Sequence, residues 1–109
     1  MKGVAVIVRD WLRRKEIEGF AVLLAQDLKR RFPPDSEKRT DRGVRRQAES
    51  IAASLCGKGA EFNRQHGLGI YGKAKLGNTL RWQLRAFGYS EGFVESLVHE
   101  LVLHLGRAR

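Results

Sequence analysis

Between Ser90 and Gly106, seven apolar residues recur at helical spacing: Phe93, Val94, Leu97, Val98, Leu101, Val102 and Leu105. At roughly 100° per residue they cover about half the circumference of a helix. An arc that wide belongs at the centre of a bundle or at a subunit interface, so it constrains everything else in the chain. Ser90 is placed to cap this helix and Gly106 to end it.

The rest of the sequence supplies helices to cover the arc. Ile17, Phe20, Ala21, Leu24 and Leu28 keep helical spacing until Pro33 and Pro34 stop the helix. Gly19 lies inside that pattern and weakens it. Upstream, Val4 to Val8 is a β-branched run that suits a strand paired across a dimer. It also suits a helix with Val4, Val8, Trp11 and Leu12 on one face, and helix is the better fit. Residues 33–41, PPDSEKRTD, make a polar connection with Asp35, Ser36, Thr40 and Asp41 as N-cap candidates. Val44, Ala48, Ile51, Leu55 and Phe62 then form a narrow stripe whose phase survives Gly57 and Gly59. It predicts one helix to about His66, with Gly67 as its stop. A third helix is expected from about Ile70 to Phe87, ending at Gly88. The expected fold is all-α, a small bundle of about four helices in a single domain over residues 1–109.

Charge narrows the partners. Lys and Arg number 21 against 12 Asp and Glu, a net charge of +9, which favours polyanions: nucleic acid or an anionic membrane surface. The only cysteine, Cys56, has no internal disulfide partner and fits a reducing compartment. The apolar run before Arg9 and Asp10 is too short for a signal-peptide core or a bilayer span. A cytoplasmic location with no membrane association is the expectation. The wide C-terminal arc, with Leu103 on its otherwise polar side, also leads to the expectation of a homodimer.

Two phosphate-binding signatures overlap in GLGIYGKA, residues 67–74. Gly67, Gly69 and Gly72 fit G-x-G-x-x-G, while Gly67, Gly72 and Lys73 fit G-x-x-x-x-G-K with Ala74 in the Ser/Thr position. Both signatures work when a strand delivers the glycines to a helix N-terminus. Here the glycines follow a helix, Ala74 lacks the hydroxyl that holds Mg²⁺, and no apolar run ending in Asp follows. The glycines are better read as ending one helix and starting the next, so no nucleotide cofactor is expected. A helix starting near Gly72 would still present free N–H groups beside Lys73 and Lys75. His99 and His104 stand at i and i+5 and diverge by about 140°, unlike a zinc pair at i and i+4. His104 falls beside Phe93 and Leu97 and is expected to be a partly buried structural histidine. Cys56 and His66 lie about 15 Å apart on one helix, too far for a dyad. No metal site and no catalytic residues are expected, and the chain reads as a non-enzyme.

Two basic faces remain. Residues 63–89 carry no acidic group but include Lys73, Lys75, Arg81 and Arg85. Opposite the Leu76, Leu80, Leu84 side lie Tyr71, Lys75, Asn78, Trp82 and Arg85, flanked by Arg81. Cations hold phosphate, and rings or amides meet bases. The same aromatics also suit core packing against the N-terminal helix, or a protein-docking face. The second face opens the long helix: Arg39, Arg42, Arg45 and Arg46, together with Lys38, crowd nine residues opposed only by Asp41. Positive charge in a first turn opposes the helix dipole and favours an external anion. The last two helices have the outline of a helix-turn-helix. The second of them carries Glu91, Glu95 and Glu100 and no Lys or Arg, so it packs rather than reads DNA. Binding to nucleic acid, DNA or RNA, is the leading expectation. The alternative is a protein-interaction or adaptor module that uses the Trp82 face or the apolar C-terminal helix.

Overall fold

A computed structural model describes residues 2–107, so Met1, Ala108 and Arg109 of the expected 1–109 domain lie outside it. Four helices follow in order: α1 (Lys2–Arg31), α2 (Arg42–His66), α3 (Gly69–Phe87) and α4 (Glu91–Arg107), with a 3-10 turn at Pro34–Lys38 between the first two. The all-α bundle expected from the apolar periodicity is the fold observed.

Each boundary has a local cause. The backbone N–H of Phe32 still bonds to the Leu28 carbonyl at 2.7 Å, and the prolines then remove the donors needed to go on. Asp41 occupies the N-cap position of α2 without a capping side-chain hydrogen bond. Gly67 ends α2 in the left-handed region (φ 58°), and its N–H bonds to the Asn63 carbonyl at 2.7 Å. Gly69 also has positive φ (67°), which sets the turn into α3. Ser90 caps α4, its Oγ accepting from the N–H of Phe93 at 3.2 Å. Glu37 of the 3-10 turn in turn accepts from the Ser90 N–H (2.8 Å) and hydroxyl (2.5 Å). The β-branched Val4–Val8 run is helical, and α1 passes through Gly19 unbroken.

α1 packs along α3, α3 along α4, and α4 along α2, while α2 meets α1 over a shorter stretch. α2 and α3 therefore stand at diagonal corners. Leu24 and Leu28 of α1, Leu55 of α2, Leu80 and Leu84 of α3, and Leu101 of α4 join one core. The α2–α4 crossing is close because residue 59 is glycine: an added Cβ would lie 2.6 Å from Leu101 Cδ1. At the far end of α1, the buried Tyr89 hydroxyl donates to the Phe32 carbonyl at 2.5 Å. Burial, then the nearby Glu37, pushes the Tyr89 pKa up to about 12.

The apolar arc of α4 is largely covered inside the chain. Val94, Leu97, Val98, Leu101 and Leu105 are buried, and Val102 and Leu103 are left partly open. This removes the arc as the ground for expecting a dimer. His104 is exposed rather than partly buried, because it lies outside the side of α4 that α2 and α3 cover.

Asp27 ties α1 to α2. Its carboxylate meets Lys58 Nζ at 3.0 Å, Arg31 at 3.1 Å and Arg30 at 2.6 Å. The Lys58 hydrogen bond first, with those of Arg31 and Arg30 and against partial desolvation, holds its pKa down to about 2 from an ordinary 3.8. A carboxylate with a depressed folded pKa stabilises the fold above its unfolded pKa, and that contribution is lost as pH falls through the folded one. Asp27→Asn is therefore expected to cost on the order of 1–2 kcal/mol near neutral pH, allowing for solvent screening. Urea melts of the variant and the parent protein should converge as pH is lowered from about 4 to about 2. A difference that stays constant over that range would refute the assignment.

Candidate nucleic-acid interface

The glycines of GLGIYGKA have structural roles. Gly67 and Gly69 make the corner between α2 and α3, and a Cβ on Gly72 would lie 2.8 Å from that of Leu68. Helix α3 starts at Gly69 rather than near Gly72, whose N–H is already bonded to the Leu68 carbonyl at 3.2 Å. The unbonded first-turn N–H groups thus belong to residues before Lys73, which sits half-buried one turn further on. The corner is pinned from both sides. Buried Asn63 accepts the Leu68 N–H through Oδ1 at 3.2 Å, and Arg13 of α1 donates to the carbonyls of His66 (2.7 Å) and Gly67.

Leu76, Leu80 and Leu84 turn α3 into the core, leaving the opposite side in solvent. Trp82 is 67% exposed and Tyr71 91%, so neither ring is core. The cations beside them are not free. Lys75 Nζ lies 3.0 Å from Glu18 of α1, and its hydrogen bond is the main reason that the Glu18 pKa is lowered. Arg81 donates through Nε to Glu95 of α4 at 2.8 Å and through Nη1 to Asn78 Oδ1 at 2.6 Å. Arg85 reaches Glu95 at 3.1 Å and Glu91 at 3.4 Å, and its guanidinium lies 5.7 Å from the Trp82 ring centre. Lys73 forms no ion pair among the described residues. This face is aromatic, with its charge largely balanced by neighbouring helices.

The α2 face differs. Arg39, Arg42, Arg45 and Arg46 are all exposed. Arg39 meets Asp41 at 3.5 Å, but Arg42, Arg45 and Arg46 form no ion pair among the described residues. Glu49 stands one turn further along the same side without pairing to any of them. Gln47 Nε2 donates to the Arg31 carbonyl at 3.1 Å, which sets this first turn beside the basic end of α1, Lys29–Arg31. Asp27 engages Arg30 and Arg31 there, so the three guanidinium groups of α2 are the unbalanced part of a cationic end. Since α2 and α3 are diagonal, the two basic faces do not join into one surface.

Cys56 is buried, and burial, then Glu100, raises its thiol pKa. No cluster of three or more metal-ligating side chains occurs among the described residues. No helix of the described residues is long and apolar enough to cross a membrane.

One exposed surface escaped the sequence reading. Val4, Ile7, Val8, Trp11 and Leu12 of α1 are all open, as are Ile70 and Tyr71 where α3 begins. The signal was in the phase. At 100° per residue, the Val4–Leu12 face is rotated by about 150° from the Ile17–Leu28 stripe that α3 covers, so the two are not one core-facing surface.

The fold and these surfaces define a small helical protein with one unbalanced cationic end and one apolar side. No family model matches the chain, and no curated protein or solved structure matches it.

Proposed function

We propose that the protein binds nucleic acid without catalysis, anchoring phosphates on Arg42, Arg45 and Arg46 at the start of α2. The observation that carries this reading is that three exposed guanidinium groups share a helix start with no carboxylate paired to them among the described residues. The positive end of the α2 dipole disfavours them there, so the free protein holds repulsion that a polyanion relieves. Arg39 is the next contact along the chain. Arginine suits the task because its planar fork engages phosphate oxygens in pairs. The structural roles of Gly67, Gly69 and Gly72, with Ala74 where a metal-binding hydroxyl would stand, support a protein that takes no nucleotide cofactor. The single buried thiol suits a reducing, cytoplasmic setting.

A second reading rests on Trp82. An exposed tryptophan whose neighbouring arginines are already balanced by Glu91 and Glu95 resembles the aromatic centre of a protein-docking face more than a phosphate track.

One experiment separates the two. Binding to labelled single-stranded and duplex DNA and RNA is measured over a salt series, using a Trp11→Phe background so that Trp82 is the sole emitter. The expected result is a log–log salt slope of about −0.9 per phosphate engaged on duplex. Quenching of Trp82 by single strands would add α3 to the site, since base stacking requires the ring. Failure to bind any of these probes at low salt would overturn the nucleic-acid reading in favour of docking.

A further inference from the structure

We infer that the exposed apolar side of the first turns of α1, with the groove beside it, is the surface on which a second copy of this chain docks. The inference is independent of nucleic-acid binding, which uses the other end of the molecule.

Helix α1 is about 45 Å long at 1.5 Å per residue, against about 28 Å for α3, the helix that covers it. Among the described side chains of α1, the first to be buried is Ile17. The turns before it have little to hold them as helix. Val4, Val6, Ile7 and Val8 are β-branched, and no acidic residue stands in the first turn to favour the dipole. A stretch this short is marginal in water on its own propensity, so burial of its apolar side is what would stabilise it.

That side is substantial. Val4 is 63% exposed and Ile7 67%, Val8, Trp11 and Leu12 are about half exposed, and Ile70 and Tyr71 are almost fully open. Together these residues leave on the order of 900 Å² uncovered, which matches the roughly 800 Å² that each partner contributes to a stable interface.

Shape selects the occupant. Val4, Val8, Trp11 and Leu12 form a ridge. Between α1 and the start of α3 runs a groove of about 660 Å³ whose apolar walls include Ile7, Ile17, Leu68, Ile70 and Tyr71. A two-fold interface must be self-complementary, with each copy offering what the other receives. Ridge and groove on one copy meet that condition, because the ridge of each can enter the groove of the other. A lipid surface would meet the ridge but leave the groove empty. The charges allow the pairing: of the four charged side chains that also line the groove, Arg13 is committed to the carbonyls at the α2 C-terminus and Lys75 to Glu18, and the remaining two, Asp10 and Arg14, are opposite in sign.

Light scattering and sedimentation of the full chain, from low to high micromolar and at moderate salt, test the inference. A concentration-dependent dimer is expected. In a Trp82→Phe background, Trp11 emission should shift to the blue as the dimer forms. The double variant Val8→Asp/Trp11→Asp should weaken association by about tenfold or more while the circular dichroism of the bundle persists, since neither residue is core. Leu103→Asp, at a partly open site on α4, should leave association unchanged. A monomer at every concentration would overturn the inference, as would a dimer that survives the double variant or is dissolved by Leu103→Asp. Binding of a monomer to phosphatidylserine vesicles with a Trp11 blue shift would reassign the face to lipid.

Discussion

Leu80→Ala is expected to cost about 2–5 kcal/mol of unfolding free energy, a large part of what holds a domain of this size together. Leu80 has 0% exposure at the middle of α3, where that helix faces both α1 and α4. Removing its branched end leaves a hole that the surroundings cannot readily close. At Gly77, one turn earlier, α3 and α4 are already near contact: an added Cβ would lie 3.0 Å from Val102 and 3.5 Å from Val98. Two helices spaced that tightly cannot move closer to fill a void three residues away, which places the cost in the upper half of the range. Ile70→Ala, at an exposed residue of the same helix, should change monomer stability by no more than about 0.5 kcal/mol. Denaturant melts of both variants at low protein concentration make the comparison. Equal costs would show that the α3 core face has been misplaced.

What the sequence made legible, and what it did not, divides along the range of the interactions. Helix ends were readable because local backbone chemistry sets them: the missing donors of Pro33 and Pro34, the left-handed Gly67 and Gly88, and the hydroxyl of Ser90. The core faces of α2, α3 and α4 were readable from period alone. α1 continued through Gly19 because the flanking apolar residues outweigh the roughly 1 kcal/mol that glycine costs in a helix. The candidate site was less legible because neutralisation is a tertiary effect. The stretch from 63 to 89 has no acidic residue, yet Arg81 meets Glu95 and Lys75 meets Glu18, partners 14 and 57 positions away in the chain. Glu91 and Glu95 belong to a packing helix, as the apolar arc of α4 implies. That they also balance the face of the helix they pack beside depends on how α3 and α4 are juxtaposed, which no periodicity encodes. The α2 cluster kept its charge because Asp41 pairs with Arg39, and Glu49, one turn further along, pairs with none of Arg42, Arg45 and Arg46.

That difference between the faces yields the sharpest functional expectation. Arg42→Ala/Arg45→Ala/Arg46→Ala should lower the salt slope of duplex binding by about 2.7, and weaken binding several hundred-fold near 0.1 M salt, if each guanidinium neutralises one phosphate. Lys75→Ala/Arg81→Ala/Arg85→Ala removes the same formal charge and is expected to change the slope far less. In the free protein those three side chains already meet carboxylates, and to contact phosphate they would have to leave Glu18, Glu91 and Glu95 unpaired. Net charge alone predicts equal losses for the two triples, whereas a located site predicts unequal ones. The α2 triple should fold normally, since its residues are exposed and removing like charges from a helix start relieves repulsion. Its melting temperature should therefore equal or exceed that of the parent protein. Equal losses in the two triples would reduce the binding to diffuse electrostatics, and a greater loss in the α3 triple would move the site to the Trp82 face.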